Sequence, residues 1–134
     1  MLMVELSGEN IPNGTGLFWI GRVVTIRGLC INRFTNGTGL DSGCASCGFI
    51  VTAGSIVEGC FIGTDISGTI ALPNNVGVTF LQTHDARIGG PDVAQRNVIS
   101  GNLQHAILPS QGFDGANLFN LNWINFQGQG IAAP

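Results

Sequence analysis

The chain has 134 residues, enough for a single domain over 1–134 with one core. Charged residues make up 10% and hydrophobic residues 44%, where a charged share of about 25% is usual, so most side chains are not meant for open water. The net charge of −3, with arginines scattered at 22, 27, 33, 87 and 96 and no lysine, excludes a nucleic-acid partner that needs a basic stripe, and no apolar run approaches the ~18 residues that span a bilayer.

The opening "MLMVELSGEN" has no basic segment and reaches Glu5 too early for a signal peptide, so the chain as written leans towards a cytoplasmic product. From residue 16 the 21 glycines and 5 prolines punctuate short runs of Ile, Val, Leu and Phe, the pattern of many short strands. Strand openings recur as "GLFWI" at 16, "GFIVT" at 48, "GVTFL" at 77, "AILP" at 106 and "GIAA" at 130, with spacings of 32, 29, 29 and 24 residues. A second strand follows each of the first four: "VTIRGLCI" from 24, "SIVEGCFIG" from 55, "ARIGG" from 86 and "NLFNLNWI" from 117. This overlay makes Ile26, Val57, Ile88 and Phe119 equivalent core positions, and matches Gly28, Gly59, Gly90 and Leu121.

A repeat of this length, all strand and corner with no helical periodicity, predicts an all-β fold: a parallel β-helix (solenoid) of about four coils, with strands stacked about 4.8 Å apart. A β-sandwich is the competing architecture, and the in-phase recurrence favours the solenoid.

Cys44 and Cys47 form a C-x-x-C in the polar insertion "GLDSGCASCG", a spacing shared by redox dithiols and half of a zinc site. Cys30 and Cys60 stand singly on strands, so zinc is not expected; Cys60 aligns with Leu29 instead of Cys30, which puts the strand cysteines on different faces as small apolar fillers. The state of the Cys44 and Cys47 pair, disulfide or free, stays open. Arg27 and Glu58 follow equivalent core residues and are expected side by side on adjacent coils, facing outwards.

The acidic residues are spread one or two per coil, and only "THDAR" gathers several titratable types. His84, Asp85 and Arg87 are thus the only catalytic candidates, and a solvent-exposed corner is the preferred reading of them. In "ARIGGPDVAQRNVISGN" the Gly-Gly pair lacks the spacing of a dinucleotide fingerprint. It reads as a tight corner, with Ile88 and Ile99 as core rungs and Asn102 as an inward or corner asparagine stacked with Asn122. Trp19, beside Phe18, and Trp123 are the ligand-binding candidates, because an exposed aromatic on a strand face can stack on a sugar ring.

The phrases "VTIRGLCINRF", "SIVEGCFIGTDISGTIALPNN" followed by "GVTF", and "RIGGPDVAQRNVISGN" resemble the repeats of bacterial right-handed parallel β-helix proteins of the pectin-lyase-like superfamily. The likeness covers about residues 4 to 108 and is specific for fold. It implies a short or truncated form with more coils on either side in similar proteins, an exported or surface location, and a carbohydrate or cell-surface ligand. Two functions follow as expectations. The first is a non-enzymatic structural or binding module without a cofactor, associating with itself through open helix ends or an exposed face. The alternative is a polysaccharide-processing enzyme with a groove along one sheet, for which calcium would be the cofactor.

Overall fold

Runs rich in Val, Ile and Phe and broken by glycine favour extended strands over helix. In the computed structural model, which describes residues 3–11, 13–19, 23–36, 38–41, 54–80, 85–109, 118–120, 123–125 and 129–131, the chain is all-β, and the only helix among those residues is a 3₁₀ turn at Val93–Gln95. The strands are β1 (Val4–Ser7), β2 (Leu17–Phe18), β3 (Thr25–Arg27), β4 (Leu29–Asn32), β5 (Thr38–Asp41), β6 (Ile56–Glu58), β7 (Phe61–Ile62), β8 (Val76–Phe80), β9 (Arg87–Gly89), β10 (Val98–Ser100), β11 (His105–Pro109), β12 (Leu118–Asn120), β13 (Trp123–Asn125) and β14 (Gln129–Ile131).

These strands form three sheets. Sheet A has the order β1-β4-β7-β10-β13, sheet B β2-β5-β8-β11-β14 and sheet C β3-β6-β9-β12. The chain visits the three sheets in turn, so each strand pairs with the strands three before and three after it, and every one of these pairings is parallel. An isolated antiparallel bridge, Thr64 to Ala71, closes a turn that leaves sheet A after β7.

Register puts like residues on like. Sheet C pairs Ile26 with Val57, Val57 with Ile88 and Ile88 with Phe119; sheet A pairs Leu6 with Ile31, Ile31 with Ile62 and Ile62 with Ile99. The inward members Ile26, Val57, Ile88, Ile31, Ile62 and Ile99 are buried and meet Val78, Ala106 and Ile107 from sheet B in one core. Each fully buried Val or Ile contributes about 1.5–3 kcal/mol of transfer free energy, so these ladders are the main favourable term holding the sheets together.

Candidate functional site

The Gly-Gly corner is built around a guanidinium. Ile88 points into the core, so its neighbours Arg87 and Gly89 face outwards from sheet C, where Gly89 lies opposite Glu58 and leaves space above itself. The Arg87 side chain fills that space. Its Nη2 lies 2.6 Å from Glu58 Oε2, and its Nη1 donates to the Gly89 carbonyl. A Cβ on Gly90 would run into Arg87 Nη1 and Gln95 Oε1, and that Gln95 oxygen also accepts the Asp92 N–H at 3.2 Å. The corner holds a side chain of its own chain.

Glu58 departs from expectation. Arg27 does pair with it across the strands, but the Glu58 side chain is 3% exposed while that of Arg27 is 64% exposed, and Glu58 binds Arg27 through Oε1 and Arg87 through Oε2. An outward position on a strand is not an exposed one when two long arginine side chains fold over it. Burial pushes the Glu58 carboxyl up, but the hydrogen bonds and charges of Arg87 and Arg27 outweigh it and hold the group below its ordinary value.

His84 lies outside the described residues. Asp85 is exposed and takes a left-handed backbone with φ of 55°, and Arg87 is engaged by Glu58 and Gly89.

A second polar cluster covers sheet A. The Thr64 backbone lies over Cys30 and Asn32 on the face opposite Ile31: the Cys30 thiol donates to the Thr64 carbonyl at 3.3 Å, and Asn32 Nδ2 donates to Thr64 O at 3.0 Å and Glu5 Oε1 at 2.8 Å. Arg33 closes the cluster with Nη1 at 3.1 Å from Glu5 Oε1. Cys30 is therefore buried among polar partners, whereas Cys60 belongs to the apolar core; both are free thiols, and Cys44 and Cys47 lie outside the described residues. Burial first, and then the Glu5 charge, pushes the Cys30 thiol up to about 11 from 9.0. Because the folded value is raised, its contribution to stability is present below pH 9.0 and is lost as pH rises through about 11. In a C44S/C47S background an aromatic disulfide reagent at pH 8 is expected to find no reactive thiol in the folded protein and both after denaturation.

The asparagine ladder runs between Asn102 and Asn74. Asn102 Oδ1 accepts from Asn74 Nδ2 at 3.1 Å and from the Asn74 N–H at 3.3 Å, while Asn102 Nδ2 donates to the Ile62 carbonyl at 3.1 Å. Asn74 repeats the motif one coil earlier, donating to Ile31 O and accepting the Phe34 N–H. Asn122 lies outside the described residues.

At the N-terminal end of the sheets, β1, β2 and β3 each have a partner on one side only. Trp19, with Leu17, Val24, Thr25 and Ile26, lines an open groove of about 250 Å³ there. Its ring packs against the core and its indole Nε1 is buried without a hydrogen-bond partner, while its neighbour Phe18 faces outwards. Trp123 stands in β13, paired with Val98.

Two groups escaped sequence reasoning. Asn74 sits in "LPNN", where two adjacent asparagines before a strand were the available signal, and the burial of Glu58 had none, because Arg87 reaches it diagonally from a rung opposite Ile56. Among the described residues no three His, Cys, Asp or Glu side chains gather as a metal-holding group, and no helix is long and apolar enough to cross a membrane. Comparisons with protein-family models, with curated proteins and with solved structures found no match to the chain.

Proposed function

We propose that the chain is a right-handed parallel β-helix of about four coils, related to the pectin-lyase-like repeat proteins that its phrases resemble, and that it serves as a structural or binding module. The strand order supports the solenoid, since a coil that lays three strands on the three of its predecessor produces the every-third-strand pairing in all three sheets. Its association is end to end, and its external ligand is a carbohydrate or cell-surface partner.

The observation that carries this reading is the N-terminal end. It combines three unpaired parallel edges with the Trp19 groove, and the same coil exposes Val4 (61%), Ile11, Phe18 and Val23 (58%). Unpaired edges beside exposed apolar side chains are templates for further strands. Only an edge of the opposite end, β13, β14 and β12 of a second copy, continues all three sheets with parallel polarity.

Light scattering over a concentration series is expected to show a mass that grows with concentration. Charges at the edge, as V4K/V23K, are expected to return the chain to monomer with little change in melting temperature, because both side chains are exposed. A wild-type mass fixed at that of one chain up to about 100 µM, where an interface of micromolar affinity is saturated, would overturn the end-to-end reading. A glycan array tests the ligand class separately.

A further inference from the structure

Three of the four arginines among the described residues have a carboxylate: Arg27 and Arg87 share Glu58, and Arg33 has Glu5. Arg96 has none, and its Nε is buried without a hydrogen-bond partner. An N–H of a charged group left unpaired away from water is an unfavourable arrangement that native proteins seldom keep without a partner. The backbone cannot easily turn Arg96 away, because it is clamped on both sides. Gln95 O accepts the Gly59 N–H at 3.3 Å, and Asn97 accepts the Cys60 N–H at 2.9 Å while donating to the Val57 carbonyl at 3.0 Å.

Beside Arg96 lies an open groove of about 160 Å³ on the outer face of sheet A, lined by Phe61, Val93, Arg96, Asn97 and Val98. Its surface is mostly apolar. Gly68, with φ of 73°, packs against the far edge of the Phe61 ring, where a Cβ would sit 3.3 Å from Cε2, so the ring is backed and holds its orientation. Val93 forms an exposed rim at 74%. The Asn97 amide is already bonded to backbone on both its atoms, so polar recognition in the groove falls to the Arg96 guanidinium.

We propose that this groove binds a small apolar carboxylate, its ring or short aliphatic body on Phe61, Val93 and Val98 and its carboxylate on Arg96. A planar carboxylate can accept two parallel N–H bonds from one guanidinium, which would satisfy the buried Nε and pair the unmatched charge. The groove has the space of about five waters, suited to one ring and not to a polymer segment, so the occupant is a free small molecule. This site does not depend on end-to-end association.

The test is titration of the full chain with 4-fluorobenzoate, followed by fluorine NMR at low salt, with 4-fluorobenzamide as the neutral isostere. Saturable benzoate binding with Kd of about 1 mM or tighter is expected, and the amide is expected to bind at least about tenfold more weakly, the discrimination a charge-assisted pair supplies. Both R96Q and V93E are expected to weaken benzoate at least about tenfold, the second by placing a negative charge on the exposed rim, where it does not threaten folding. The proposal is overturned by benzoate that fails to saturate up to about 50 mM, by equal binding of the amide, or by V93E binding as tightly as wild type.

Discussion

Replacing Glu58 with alanine is expected to destabilise the protein by about 3–5 kcal/mol at pH 7, measured by urea unfolding, because it leaves the Arg87 guanidinium under cover without its carboxylate. The two arginines should not respond alike. Arg27→Ala removes a partner that is mostly in water and is expected to cost less than about 1 kcal/mol, whereas Arg87→Ala strips a largely buried bond from a buried carboxylate and should approach the cost of losing Glu58 itself. The pH dependence follows from the direction of the shift. The Glu58 carboxyl is held below its ordinary 4.5 in the folded state, so its contribution is complete above that value and is lost as pH falls through the folded one. Wild type is therefore expected to lose stability between about pH 5 and pH 3 more steeply than E58A, the interval over which unfolded carboxylates bind protons. Parallel acid profiles for the two proteins would mean that the arginines do not favour the ionised form.

The second large effect is expected at Asn102. Asn102→Ala removes three hydrogen bonds inside the protein at once and leaves Ile62 O and both donors of Asn74 unpaired. At about 1–3 kcal/mol for each buried group left unsatisfied, partly relieved by local relaxation, a loss of about 3 kcal/mol or more is expected in thermal or urea unfolding. Asn102→Asp is the informative companion. It keeps the acceptor that Asn74 uses but loses the donor to Ile62 O and buries a charge, so it should be no better tolerated than alanine. Should alanine be neutral at 102, the asparagine pair would be filling space and not joining coils.

The core was legible at the level of single residues because the glycine-aligned spacing carried it. Ile26, Val57, Ile88 and Phe119 follow one another in sheet C, since a pleated strand sends every second side chain to the same face and parallel stacking repeats that choice in the next coil. Corners obey no such period. The overlay set Asn122 beside Asn102, a separation of 20 residues, yet between these coils Val98 pairs with Trp123, 25 residues apart. The amide that Asn102 does bind is Asn74, which lies in the preceding coil behind the Thr64–Ala71 turn. A turn of variable length shifts everything after it without disturbing the apolar alternation, so strand register survives where corner register does not.

What the sequence by itself determined is the all-β class, the set of inward aliphatic residues and the Arg27–Glu58 neighbourhood, because each depends only on local alternation and a repeat length that can be counted. Tertiary structure alone decided that Glu58 is buried beneath two arginines, that Cys30 is covered by the Thr64 backbone while Cys60 joins the core, and that Arg96 is left without a carboxylate beside Phe61. Those outcomes turn on the reach of long side chains across diagonal rungs and on where a turn folds back over a sheet. Both are set by distances between coils that no spacing along one coil contains.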